Sequence, residues 1–264
     1  VQVSGAGIAG VELPVALTVW NFALPNGPTH ENHFGGVDRV ASYLGMDRNS
    51  EDFRGIEERC EAMLAEHRIN PAFPRRLWPA VQEDGTVDFS AVDGEITAFV
   101  ERYHVTNLEI PRAPFDDVTG ANRDKALNFF RSWYAYLKSK GWAERSYHYM
   151  LDEPNTPEEY ERVRTLGAMV QEAEPGIRRL VVEQPYTQNP EWGMLDDAID
   201  IWCPLFGFIH EPSVKEKQAQ GDDVWSYTAL VQRAPAYHPE YEQVKENDPP
   251  YCCLLYTSPS PRDS

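Results

Sequence analysis

The sequence predicts an α/β fold built on a parallel sheet, with a (β/α)8 barrel as the leading form and a doubly wound open sheet as the alternative. Three observations carry that expectation. Short β-branched or aromatic runs alternate with longer segments whose apolar residues recur at helical spacing. The alternation repeats seven times along the chain. The 264 residues suffice for one domain of this kind, whose usual size is about 250 residues.

The elements follow in order. The first strand is read at 15–20, VALTVW, for its β-branched and aromatic content. A long loop leads to a helix after Ser50, where Phe53, Ile56, Cys60, Met63 and Leu64 share a face. The second strand is placed near 77–81. After a turn at Asp84-Gly85, Ser90 is read as the cap of a helix reaching about Tyr103, with Val92, Ile96, Phe99 and Val100 inward. The third strand is 107–111, and the helix after it, 123–140, carries Leu127, Phe130, Tyr134 and Leu137. The fourth strand, 145–151, runs into LDEPNTPEEY. There Thr156 suits an N-cap, Pro157 the first helical position and Glu159 a capping box, so a helix is expected to about Glu174. The fifth strand is 178–183. The sixth, 199–205, follows a short helix near Leu195. A polar helix at 214–220 leads to the seventh strand, 224–228.

The opening VQVSGAGIAGVELP contains G-x-G-x-x-G at Gly5, Gly7 and Gly10. A dinucleotide site needs a helix N-terminus after those glycines to receive the pyrophosphate. Pro14 falls inside the would-be helix, and a β-type run follows it. The glycines are therefore read as a turn between two β segments, and no cofactor is expected.

Composition narrows the function. A net charge of −18 opposes a nucleic-acid surface, which needs a positive footprint. No apolar run approaches the ~20 residues of a membrane span. The four cysteines, Cys60, Cys203, Cys252 and Cys253, form neither C-x-x-C nor a disulfide framework. Cys60 and Cys203 are read as buried thiols. His30 and His33 form H-x-x-H in a loop, but no third ligand is spaced to complete a metal site, so they are read as substrate contacts or plain loop histidines and no metal is expected.

Residues 1–13 read as the edge of a preceding domain or a linker, and 14–252 as a barrel cut before its eighth strand. The stretch 253–264 reads as a non-native tail, because CLLYTSPSPRD matches the conceptual translation of a transposase-type sequencing adapter. With no initiating methionine, the natural N-terminus is expected to be missing as well.

In a parallel α/β fold the chemistry gathers at the C-terminal ends of the strands. Those ends offer Trp20, Arg112, Asp152, Glu153, Glu183, Trp202, Trp225 and Tyr227. Acids among aromatic rings suit a sugar, whose C–H face stacks on a ring while its hydroxyls meet carboxylates. The adjacent Asp152-Glu153 pair is the sharpest feature. Simple alternation places Ser146, His148, Met150 and Asp152 toward the barrel interior and Tyr147, Tyr149 and Leu151 toward the helices. A competing reading is that both acids serve only the dipole of the following helix. His148 is read as a substrate contact or a hydrogen-bonded core histidine. Trp20, Trp202, Trp225 and Tyr227 are read as sugar platforms or packing residues, and Glu183 as a substrate-binding group.

Two glycosidase mechanisms fit such acids. A protein nucleophile would pair Glu183 with Glu153 across the glycosidic bond, about 5–5.5 Å apart. Alternatively the substrate's own 2-acetamido oxygen attacks, one carboxylate orienting the amide and its neighbour acting as general acid and then base.

The pieces LPVALTVWNFALP, YHYMLDEPNTPEEY, IDIWCP and VWSYT, in that order, resemble the catalytic domain of glycoside hydrolase family 123 and the related domain of unknown function 4091. The resemblance spans 13–251. It implies a (β/α)8 barrel after a β-sandwich and a secreted or periplasmic setting. It also implies retaining exo-hydrolysis of terminal β-linked N-acetylhexosamine, most of all N-acetylgalactosamine, by substrate assistance, with Asp152 and Glu153 as the catalytic pair. A non-catalytic carbohydrate-binding barrel is the opposing class, and a nucleotide-binding oxidoreductase the third.

Overall fold

The computed structural model of the chain describes residues 2–5, 7–12, 14–35, 37–206 and 209–227. Thr228, Cys252, Cys253 and the expected tail 253–264 lie outside the described residues. The glycine-rich opening is an antiparallel hairpin: β1 (Gln2–Gly5) pairs with β2 (Ile8–Glu12). Gly7 turns it with φ +80°, a region that suits glycine. Strand, turn and strand leave no helix N-terminus for a pyrophosphate.

The expected first strand at 15–20 does not form. Residues 14–20 have no regular structure, and Val15, Leu17 and Val19 are largely exposed. A β-rich composition makes a strand only where a neighbouring strand takes its hydrogen bonds. Next come α1 (Asp38–Leu44), which the sequence reading missed, and α2 (Glu51–Glu66). Ser50 caps α2 by accepting from the Phe53 N–H at 3.2 Å. Its inward face is Phe53, Glu61 and Leu64, whereas Met63 is exposed and Cys60 only half-buried. Glu61 tolerates burial because Arg76 grips it through two hydrogen bonds of 2.8 Å.

The expected second strand is also corrected. Residues Arg75–Leu77 form a 3₁₀ turn, and β3 (Ala80–Val81) pairs antiparallel with β4 (Val87–Asp88). A parallel bridge joins Phe34 to Pro71 instead. Ser90 does not cap α3 (Asp93–Arg102): Val92 holds that position, and the Ser90 N–H donates to Asp88.

From here the sequence pattern and the structure agree. A parallel sheet runs in chain order through β5 (Leu108–Ile110), β6 (Ser146–Asp152), β7 (Arg178–Val182), β8 (Ile201–Trp202) and β9 (Asp223–Val224). Between its strands stand α4 (Arg123–Ser139), α5 (Pro157–Ala173) and α6 (Glu211–Gln220). Chain-order parallel pairing with helical crossovers makes this an α/β fold. At the start of α5 the Thr156 hydroxyl accepts from the Glu159 N–H, and Glu159 reaches back to the Asn155 N–H at 2.7 Å.

The sheet has two unlike faces. On the helix side, Leu108, Ile110, Met150, Leu151, Val181 and Trp202 pack with Phe129, Phe130 and Trp133 of α4 and Tyr160, Val163 and Val170 of α5. Each such aliphatic or aromatic burial contributes roughly 1.5–3 kcal/mol. On the opposite face Tyr147, Leu180, Val182, Ile201 and Cys203 form a smaller cluster, joined by Tyr149, Trp225 and Tyr227.

Candidate functional site

The face of β6 is set by a bulge. Tyr149 pairs with Leu180, but Leu151 pairs with the next residue, Val181, and Asp152 with Val182. Met150 is thus the extra residue, which shifts the side-chain alternation by one position. Before the bulge, Tyr147 and Tyr149 point away from the helices while His148 and Met150 point into them. That reverses the simple alternation. After the bulge, Asp152 falls on the same face as Tyr149, so its direction is as expected although the assumed regular pleat is not.

The acid pair is assembled there. The Tyr149 hydroxyl donates to Asp152 Oδ1 at 2.8 Å. The Tyr227 hydroxyl donates to Glu153 Oε1. Burial, with the nearness of these carboxylates, raises both phenols above their ordinary range. Both therefore remain donors at neutral pH. Burial and the Asp152 charge push the Cys203 thiol up to about 12, which leaves it an inert neutral group beneath the pair.

Glu153 has φ +42°. A non-glycine residue rarely occupies this left-handed region, and doing so costs on the order of 1–3 kcal/mol. Its N–H donates to the Val182 carbonyl at 3.1 Å, and its own carbonyl accepts from the Asn155 side chain at 2.6 Å. These two bonds hold the backbone where it turns off the strand, with the buried Pro154 next in line. Such strain is stored where a side chain must be aimed.

Glu183 follows β7 but turns toward α5. Its Oε1 accepts from the Gln184 N–H at 2.7 Å and from the Thr187 hydroxyl at 2.9 Å, and the Tyr160 hydroxyl lies 3.5 Å from Oε2. Burial raises its carboxyl above the usual range, and the nearby Glu153 charge adds to the rise. Its lone pairs are largely committed within the protein.

Two expected substrate contacts are corrected. His148 is buried against the Phe130 ring at 4.7 Å, and its Nδ1–H donates to the Ile110 carbonyl at 2.8 Å. Trp202 is fully buried on the helix side, where its indole N–H donates to Asp222 at 2.9 Å. The Trp202 ring also lies 5.0 Å from the Lys217 ammonium, itself held by Asp196. Asp200 of the same D-x-W motif clamps Arg179 at 2.6 and 2.8 Å. Both residues hold the sheet to its helices. Trp20 stands on the irregular 14–20 segment with its ring 5.8 Å from Phe22 and is not brought to the acid pair. Trp225 does join the site face, edge-on to Tyr147 at 5.0 Å.

The sequence reading named Arg112 and His33 but missed Glu109, which stands with them beside Tyr149. A cleft of about 470 Å³ opens next to Tyr149, with Glu109, Arg112 and His33 on its wall. Glu109 shares a register position with Tyr147 and so stands on the site face. Burial pushes its carboxyl up to about 7, against the pull of Arg112. A lone acid between two apolar residues, Leu-Glu-Ile in a short strand, was the available signal.

The loop that carries His33 is fastened in place. Asn32 Oδ1 accepts from the Asn70 N–H at 2.7 Å, and the Asn70 amide donates to the Asn32 carbonyl at 2.9 Å. Arg178 ties Glu31 to Asp223 at 2.9 and 2.8 Å. Among the described residues no set of three or more His, Cys, Asp or Glu is arranged to hold a metal ion, and no helix is long and apolar enough to cross a membrane. No protein-family model matches the chain, and no curated protein matches it.

Proposed function

We propose that the protein is a retaining exo-glycosidase that removes terminal β-linked N-acetylhexosamine, foremost N-acetylgalactosamine, by substrate-assisted catalysis. The parallel sheet is read as part of a (β/α)8 barrel whose interior is the Tyr147 and Cys203 face. The chain-order strands and the parallel Phe34–Pro71 bridge support closure beyond the five strands.

One observation carries the reading. Two adjacent carboxylates at the C-terminal end of β6 are each held by a tyrosine hydroxyl, while the alternative nucleophile offered by the sequence, Glu183, is occupied by Gln184 and Thr187. In the first step the acetamido oxygen attacks the anomeric carbon and the glycosidic C–O bond breaks. The leaving oxygen takes its proton from Glu153. Asp152 accepts from the acetamido N–H and stabilises the positive oxazolinium ring that forms. Water then adds to the anomeric carbon, Glu153 takes a proton from it, and the acetamide is regenerated with retained configuration.

The test compares an aryl β-N-acetylgalactosaminide with the matching aryl β-galactoside. Turnover is expected only for the first, with Asp152→Asn losing a factor of roughly 100 or more. Comparable rates on both substrates, or a glycosyl ester trapped on Glu183, would mean that the protein supplies the nucleophile.

A further inference from the structure

Outside the acid pair, the cleft walled by Glu109 and His33 is the feature that neither the fold nor the proposed reaction uses. His33 Nε2 and Glu109 Oε2 stand 3.9 Å apart. That separation is too long for a hydrogen bond, so the two groups do not satisfy one another. Among the described residues neither has a hydrogen-bond partner. Each side chain is only a third exposed, and both face the same cavity. Polar groups with this much burial normally find partners. A cavity of about 470 Å³ is of ligand size.

The other polar walls are already engaged. Glu57 and Glu61 pair with Arg76. The Arg112 guanidinium lies 5.6 Å over the Tyr149 ring, and the Arg75 guanidinium 5.5 Å over Trp78.

We infer that Glu109 and His33 form a recognition point for hydroxyl groups of a neutral, polyhydroxylated ligand seated in this cleft. The chemistry follows from what the pair offers. A neutral carboxyl and a neutral imidazole each present one donor and one acceptor, as a hydroxyl does. A phosphate or carboxylate ligand would present acceptors only, and would face Glu57, Glu61 and Glu109 on the same walls. Tyr149 lines the cleft and donates to Asp152, so a sugar held here lies beside the acid pair. Tyr149 with Trp78 also supplies the aromatic surface that a sugar ring needs. The inference rests on the glycosidase reading for the class of ligand, and assigns Glu109 the part of specificity-determining residue.

The site is built before the ligand arrives. The Asn32–Asn70 bonds and the Arg178–Glu31 pair fix the loop that presents His33. The His33 ring rests edge-on to Tyr147 at 6.3 Å.

The experiment measures two things separately. Equilibrium binding of free N-acetylgalactosamine is followed by tryptophan fluorescence, and KM and kcat are taken with the aryl β-N-acetylgalactosaminide. Glu109→Leu, which fills the space without polar atoms, should weaken binding and raise KM by at least about tenfold, the worth of one or two ligand hydrogen bonds, while kcat falls less than threefold. Glu109→Gln keeps a donor and an acceptor and should stay within about threefold of wild type.

The pH profile separates recognition from packing. A seated ligand removes more water from Glu109 and so favours its neutral form. KM should therefore rise as pH passes 7 in the wild type and stay flat in Glu109→Gln. Of the groups facing Glu109, burial holds His33 below its ordinary value and Tyr147 well above its own. The Arg112 guanidinium also faces Glu109, and Glu57 and Glu61 are paired to Arg76. Asp152→Asn should lower turnover by a factor of roughly 100 or more without removing the pH dependence of KM that Glu109 sets. If the wild type turns the substrate over and Glu109→Leu changes binding less than twofold, the recognition role is overturned and the glycosidase reading stands. If the wild type neither binds N-acetylgalactosamine nor turns over the glycoside, that reading falls and takes this inference with it.

Discussion

The two faces of β6 differ in kind although they alternate along one strand. Toward the helices stand Ser146, His148 and Met150, all buried, with the polar groups closed on protein partners: Ser146 donates to the Ala143 carbonyl and His148 to that of Ile110. Away from the helices stand Tyr147, Tyr149 and Asp152, with Glu109 on neighbouring β5 and Cys203 just past the end of β8. Here the hydroxyls point at carboxylates, and the cleft opens. The first face closes its polar groups on backbone carbonyls of the preceding turn and the neighbouring strand. The second keeps polar groups near a cavity, at some cost in stability, which is the expected mark of a working surface.

Tryptophan substitutions test this contrast with the largest expected effect. Trp202→Ala removes a fully buried ring and leaves Asp222 without its indole donor. Unfolding in urea should show a loss of about 3–5 kcal/mol. Trp225→Ala, on the half-buried site face, should cost less than about half of that and act mainly on ligand affinity. Equal losses at the two positions would show that both faces are structural.

The same contrast marks what the sequence revealed. Among the described residues from 107 onward the five strands and the three α-helices were legible, though not the short 3₁₀ turns, because periods of 2 and 3.6 are readable where both neighbours are present and packed. The Asp152-Glu153 pair was legible too, since two acids and a proline interrupt an apolar strand. The side-chain parity of 146–150 was misjudged. Simple alternation sent Tyr149 to the helix side, yet its hydroxyl donates to Asp152, while His148 is accepted beside the Phe130 ring because one carbonyl takes its N–H. The Met150 bulge leaves no trace in a period-2 pattern. Residues 15–20 were misjudged for another reason: β-branched content records a preference for a pleated surface, and here no such surface forms around Val15, Leu17 and Val19. Trp202 was left open between platform and packing because a tryptophan at a strand end looks the same whether its ring meets a sugar or Lys217.

Acid and base should stress the faces in opposite directions. Burial lowers the His148 imidazole to about 4, so the folded state resists protonating it. Its contribution is full above the ordinary value of 6.5 and is lost as pH falls toward 4, a loss on the order of 3 kcal/mol. His148→Asn keeps a donor for the Ile110 carbonyl and should flatten that acid limb. Glu109 has the reverse sign. Its folded carboxyl binds a proton more readily than the unfolded one, so its contribution is full at low pH and disappears as pH rises through about 7. The effect is smaller, because a side chain a third exposed is screened by water. Glu109→Gln should therefore gain stability over wild type at pH 8 relative to pH 5. Chemical denaturation across pH 4–8 reads both. An acid limb unchanged in His148→Asn, or an alkaline limb unchanged in Glu109→Gln, would remove the corresponding half of the contrast.

The smallest effect probes how the site face is aimed. Glu153 sits at φ +42°, where a Cβ meets the neighbouring carbonyl and glycine does not. Glu153→Ala and Glu153→Gly both remove the carboxylate and the bond from Tyr227, so those losses cancel in the comparison. What remains is the backbone. At an ordinary helical or extended position alanine is the more stable choice by roughly 0.5–1 kcal/mol, because glycine has more freedom to lose on folding. At a left-handed position the sign reverses, and Glu153→Gly should exceed Glu153→Ala by about 1 kcal/mol in urea unfolding. Glycine should bring stability and no activity, as expected where strain is retained to aim a functional group. An alanine variant equal to or more stable than the glycine variant would show that Glu153 is unstrained, and the carboxylate would then owe its direction to Tyr227 and to the bulge at Met150 alone.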